Sequence, residues 1–296
     1  MKIQRLSLAI ALAWSAAAAT ASAQFTIPGL DALRISSSYT GDRDLKKDDG
    51  DLDLFQIGVS AQLTKEPIKP IENFSMIPVM SYRYTSMNFS GDHSFPMEDE
   101  DLHSISASSF YIYSCPGSRW IFGGYTGVEL SSDFQSIDAD DFTGTLAGGA
   151  AYQYNEHFLF GFGAIVANIN ADVTAFPVVG FDWKVNERMR VGLYGPLLTT
   201  SYAINESWIL SLRGTYQNEQ WNIDDATGRS RNIGVSGFKV GLQSDHKLAD
   251  NYWLTLGAGY AFSNKIELTS SSGSQISKRD LEGGLYGQIM LSMKTW

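Results

Sequence analysis

Four histidines, one cysteine and two acidic runs are the residues of this 296-residue chain whose types could carry out chemistry. His93 and His103 sit in and beside GDHSFPMEDEDLHS, close to Asp92, Glu98, Asp99, Glu100 and Asp101. Acid and imidazole pairs activate water or hold a metal, but a ten-residue His spacing in an acidic loop is not a ligand signature. The oxygen-only runs MEDED (97–101) and DADD (138–141) suit calcium or magnesium, yet neither has the spacing of a dedicated calcium loop, so solvated loop charge is the expectation. Cys115 stands in the turn sequence CPGS and has no second cysteine to pair with. No catalytic residue, cofactor or metal is expected.

What remains is organisation. MKIQRLSLAIALAWSAAAATASAQ has two cations, an apolar stretch and Ala21-Ser22-Ala23, the layout of a secretory signal peptide over residues 1–23. Its apolar core of about 15 residues falls short of the roughly 20 that span a bilayer, so a cleaved leader is expected, and one domain over 24–296. The net charge of −10 becomes two units more negative without Lys2 and Arg5, and nucleic acid is excluded as a partner for want of a basic footprint.

The connections are sorted by length. Short reversals stand at CPGS (115–118), YNEH (154–157), Asn186-Glu187, Asn205-Glu206 and LADN (248–251). Between them lie longer polar stretches at 40–51, 88–101, 131–141, 168–174, 218–232 and 263–280. KEPIKPIEN (65–73) and Gly195-Pro196 fit this alternation less neatly. Short turns at one end and long loops at the other are the layout of an up-and-down transmembrane barrel.

The runs between them alternate with period two. In LTLGAGYAF, Leu254, Leu256, Ala258, Tyr260 and Phe262 share one face; in SWILSLRGTY, Trp208, Leu210, Leu212 and Tyr216 stand opposite Ser211, Arg213 and Thr215. Lipid covers such an apolar face, and closure satisfies the backbone. Strands are expected near 31–40, 51–64, 73–88, 101–114, 119–131, 141–154, 157–167, 175–185, 188–194, 197–204, 207–218, 231–246, 251–263 and 280–296. The fold expected is all-β, an antiparallel barrel of about 14 strands, or 12 if the short runs 188–194 and 197–204 fuse or line the rim. Trp120, Phe122, Tyr154, Phe158, Trp183, Tyr202, Trp208, Tyr252 and Trp253 fall near strand ends, where aromatic girdles form.

With ASAQ after the leader, the Asn-Glu turns, the acidic loops and a terminal Trp296, the chain resembles bacterial outer-membrane β-barrels, in particular medium-sized, porin-like ones and families of such barrels without assigned function. One departure is that Leu285, Ile289, Leu291 and Met293 are out of step with Trp296. The resemblance implies residence in the outer membrane of a Gram-negative bacterium. It also implies contact with outer-membrane lipid and lipopolysaccharide, handling by periplasmic chaperones and the barrel-assembly machinery, and a monomer that passes small solutes. The side chains placed opposite the lipid face, Arg34, Glu129, Gln153, Arg190, Arg213, Glu282 and Gln288, are the lumen-lining candidates. They either set a transverse field in a wet path or neutralise one another in a filled interior. Competing readings are a non-conducting barrel with a binding or structural role, an outer-membrane hydrolase, and a soluble periplasmic β-protein. Against the hydrolase, no His-x-Ser-Asn-Gly-like stretch of outer-membrane phospholipases is present.

Overall fold

The computed structural model describes residues 30–46, 49–169, 172–224 and 229–294; the expected signal peptide, residues 1–23, and Trp296 lie outside the described residues. Thirteen strands follow in order: β1 (Leu33–Asp44), β2 (Asp49–Gln62), β3 (Phe74–Asp92), β4 (Glu100–Ser114), β5 (Trp120–Ser132), β6 (Phe142–Asn155), β7 (Phe158–Ile169), β8 (Asp172–Lys184), β9 (Met189–Tyr194), β10 (Leu197–Asn205), β11 (Trp208–Asp224), β12 (Ser230–Lys247) and β13 (Tyr252–Ser270). The last wall position is shared by β14 (Gln275–Leu281) and β15 (Gly284–Met293), which pair with the upper and lower halves of β13. Each strand from β2 to β14 is antiparallel to its predecessor, β15 is antiparallel to β13, and β1 pairs with β15 from Leu33↔Met293 to Thr40↔Tyr286. The result is a closed, up-and-down barrel of 14 strands. The short runs β9 and β10 are separate strands, which settles the count at the larger of the two expected values.

The turn end is built by asparagine. Asn155 Oδ1 accepts the His157 N–H at 2.8 Å, Asn186 Oδ1 those of Arg188 and Met189 at 2.9 Å, and Asn205 Oδ1 that of Ser207 at 2.9 Å. A carboxamide that accepts from the backbone two residues on mimics a backbone turn, which is why Asn-Glu recurs where two strands must reverse tightly. At the opposite end the β9–β10 reversal is only Gly195-Pro196, with Gly195 at φ 64°.

Across the middle of the wall the outward face is apolar: Ile57, Val59, Leu146, Phe162, Leu212, Val240, Leu242, Leu256, Leu285 and Ile289 are all exposed. Near the turn end Tyr154, Trp183, Tyr202, Trp208 and Tyr252 ring it as exposed aromatics. Trp253 is an exception to the expected girdle. It follows Tyr252 by one residue and so faces inward, buried, with Lys294 Nζ 4.2 Å from its ring centroid.

The long polar stretches are the largest departure from the sequence reading. Much of 40–51, 88–92, 218–224, 230–232 and 263–270 is not loop but wall, since β1, β2, β3, β11, β12 and β13 run on past the apolar band. In these extensions the pattern inverts: the apolar side chains turn inward and the polar ones outward. Leu52, Leu54, Met87, Leu102, Trp221, Ile223, Ile233, Val235, Ile266, Leu268 and Leu281 form one buried cluster inside the loop end. Water, not lipid, surrounds that part of the wall, so the hydrophobic effect drives burial toward the interior as in a soluble sandwich. On β13 the switch occurs at Ser263, where φ is 51° and the side-chain alternation slips by one residue.

The loop end also narrows. Asn222 of β11 pairs directly with Ser132 of β5, the Asp133 N–H donates to Asn222 O at 3.2 Å, and the Asp224 N–H donates to Asp133 Oδ2 at 3.1 Å. β6 to β10 are bypassed. The β8–β9 ladder stops at Gly180↔Tyr194 and the β10–β11 ladder at Leu197↔Thr215, so the upper part of β11 rises with β12 alone beside it until it meets β5.

Candidate functional site

The inward face below the apolar cluster carries a charged layer. Arg43 is brought into it by the irregularity between Thr40 and Arg43 in the β1–β2 ladder, which returns the chain to the inward face after Thr40. It stands opposite Leu52, at the edge of the apolar cluster, and is 2% exposed. Arg83 of β3 and Glu219 of β11 form an ion pair across the barrel. Gln56 Nε2 donates to the other Glu219 oxygen at 2.6 Å and to Thr85 Oγ1 at 3.2 Å. Lys239 of β12 lies with its Nζ 5.3 Å from the centroid of the Tyr286 ring, within electrostatic reach of Glu219, Arg43 and Arg83. Tyr286 occupies space over Gly241, where an added Cβ would come within 2.2 Å of its hydroxyl.

A second layer lies nearer the turn end. Arg34 Nε and Nη2 donate to Asp31 Oδ2 at 2.9 and 2.6 Å. Arg213, Asp245 and Lys294 share this layer electrostatically, and Thr255 donates to Asp245. Leu30 packs just inside the wall against Ile77, Phe110, Ile112 and Ile121, part of an apolar inner surface along β3 to β8, and its carbonyl accepts from Gln62 Nε2 at 2.9 Å. Arg190 and Asp182 form a separate buried pair on β9 and β8, with Tyr194 donating to Asp182 Oδ2 at 2.8 Å.

The lumen-lining candidates from sequence therefore fall in different places. Arg34 and Arg213 share one layer, and Gln288 packs over Gly257 on the neighbouring strand. Glu129 accepts from Ser131 at 2.7 Å, within electrostatic reach of Arg83 in the upper layer. Arg190 belongs to the Asp182 pair, and Gln153 lies on the inward parity of β6 near the turn end. Glu282 stands in the break between β14 and β15, exposed. Arg43, Arg83, Glu219 and Lys239 were missed. Arg83 and Lys239 were findable by parity, since each alternates with outward Tyr82 and Tyr84, or Phe238 and Val240; Arg43 and Glu219 lay within stretches read as loop.

One histidine meets a serine: His246 Nε2 lies 2.8 Å from Ser244 Oγ, which also accepts from the Trp208 indole N–H at 2.8 Å, near the turn end. His103 faces outward, bonded through Nδ1 to the Tyr82 hydroxyl at 2.9 Å and stacked on Phe134 at 4.9 Å. His93 Nδ1 lies 3.1 Å from Phe95 O. Among the described residues no three His, Cys, Asp or Glu side chains are grouped to hold a metal.

A closed antiparallel barrel with an outward apolar band, an aromatic girdle and a charged interior is an outer-membrane β-barrel. The chain belongs to the family described as a domain of unknown function, DUF6268, whose model matches residues 19–294. No curated protein matches it. Among solved structures it is similar to the NanC porin at 8% identity, covering 89% of this chain and 100% of that one with a TM-score of 0.39. The COG4313 outer membrane channel from Pseudomonas putida F1 matches at 9% identity, 87% and 92% coverage and a TM-score of 0.43. Outer membrane phospholipase A from Escherichia coli matches at 12% identity, 98% and 99% coverage and a TM-score of 0.38.

Proposed function

We propose that this barrel is a passive, non-enzymatic path for small solutes across the outer membrane of a Gram-negative bacterium. The observation that supports it is Arg83: on the inward face, amid the barrel, its side chain keeps 38% of its surface accessible beside a Glu219 at 19%. A charged pair with that much accessible surface inside a wall stands in a wet space, which a filled interior does not provide. The apolar cluster occupies the loop end between β1–β4 and β11–β14, so the path runs toward β5–β10, where the wall is lower. The same cluster favours a second reading, a barrel that binds in its lumen without conducting.

Single-channel recording of the refolded chain in a planar bilayer tests this. Discrete openings support the path. Insertion at high protein density with no conductance above the bare bilayer overturns it and leaves the second reading.

A further inference from the structure

The upper lumen layer sets Arg43, Arg83 and Lys239 against Glu219 and Glu129, with Asp53 of β2 within electrostatic reach of Arg43. Glu219 is engaged by Arg83 and Gln56, and Glu129 by Ser131. Arg43 is different. It is almost wholly buried, and its Nε and Nη2 have no hydrogen-bond partner among the described residues. Buried donors on a cation are costly to leave unmet, so a fold that steers Arg43 inward through a local irregularity holds donors for an acceptor that the described residues do not supply.

We propose that Arg43, with Lys239 and Arg83 beside it, forms a binding site in the lumen for a small organic monocarboxylate. A carboxylate supplies the acceptor oxygens those donors lack, and it brings a carbon body that inorganic phosphate does not have. The guanidinium fork matches the two oxygens of a carboxylate, while Lys239 adds a point charge. The carbon body of the ligand has a place too. Leu52 stands opposite Arg43 and Val235 opposite Glu219, so the charged layer directly adjoins apolar side chains. Arg43 and Lys239 have long unbranched stems, and rotation about them turns their donors toward the accessible side of the Arg83–Glu219 pair. The inference rests on the wet lumen of the proposed path for entry of the ligand, but not on conduction.

The test is calorimetric titration of the refolded chain in detergent micelles with sodium acetate, sodium benzoate and sodium phosphate at fixed ionic strength. Saturable binding of one carboxylate per chain is expected, weaker for phosphate, and reduced at least tenfold in Arg43→Gln and in Lys239→Gln. Lys265→Gln, exposed on the outside of the β13 extension, should bind as the parent does. Folding of each variant is checked by its heat-dependent shift on gels, and if Arg43→Gln does not fold, Lys239→Gln decides. Absence of saturable binding by the folded parent, variants that bind as it does, or tighter binding of phosphate than of carboxylate would each overturn the site. Bilayer recordings in parallel separate the two ideas: binding without conductance removes the path and keeps the site, and conductance without binding does the reverse.

Discussion

The Trp221 indole N–H donates to Ser104 Oγ at 3.1 Å, from β11 to β4, across what would otherwise be an open barrel mouth. Ser104 is bonded in turn to Ser131 at 2.9 Å, so three strands are linked within the buried loop end. Trp221 is 1% exposed and is among the largest side chains in the apolar cluster. Trp221→Ala should cost about 3–5 kcal/mol of stability, as for other buried aromatic truncations, and raise conductance in the bilayer. Trp221→Phe keeps most of the apolar volume and leaves Ser104 its Ser131 partner, so about 1 kcal/mol and unchanged conductance are expected. Urea titration and single-channel recording on the same preparations check both.

Glu100 begins β4 above the apolar band, where partial burial, then Asp133 and its acidic neighbours Asp101, Glu98 and Asp99, push its carboxyl up to about 7. A raised carboxylate pKa means that the folded state favours the neutral form. The contribution is fully present below the unfolded value of 4.5 and is lost as pH rises through about 7. The segment 93–101 should therefore exchange amide hydrogens faster, after correction for intrinsic rates, at pH 8 than at pH 5. Glu100→Gln should remove that difference; its persistence in the variant would place the titration elsewhere.

Leu212 lies in the middle of the outward band at 51% exposure, while Lys265 already stands outward on the β13 extension. If the inversion of the apolar pattern marks the membrane boundary, Leu212→Arg should cost about 2–4 kcal/mol in lipid vesicles, as cations do at the bilayer midplane. Lys265 is outside the band, and Lys265→Leu should leave stability within about 0.5 kcal/mol, as at other surface positions. Denaturant titration in vesicles reads both.

The Asp182–Arg190 pair is buried on both sides, and Tyr194 completes it. Arg190→Met leaves the Asp182 carboxylate without its cation and should destabilise by about 3–5 kcal/mol. The double replacement Asp182→Leu with Arg190→Met should recover most of that loss, because the cost arises from one uncompensated charge. A double-mutant cycle in urea measures it.

The band strands were legible because lipid imposes the same alternation on every one of them: Leu254, Leu256, Tyr260 and Phe262 needed no partner to reveal their face. The extensions were not. In WNID and KIEL the outward residues are polar and the inward ones apolar, so a pattern searched for lipid contact reads them as loops. The candidate site suffered for the same reason. Arg34 and Arg213 sit on strands whose parity is plain, whereas Arg43 reaches the interior only through a slip in its ladder, which no period of two reveals. Glu219 looked like one polar residue among several. Only the register that sets it opposite Val235, with Arg83 across the barrel, gives it a role.

The direct Asn222↔Ser132 contact has a consequence for how this protein can diversify. Because β5 and β11 meet without the strands between them, the loop-end tips of β6 to β10 hold up nothing above. They form an adjustable insert: residues gained or lost at Gly195-Pro196 or between β7 and β8 change the height of one side of the barrel while the cap keeps its geometry. A change of rim height on that side therefore leaves the roof as it is.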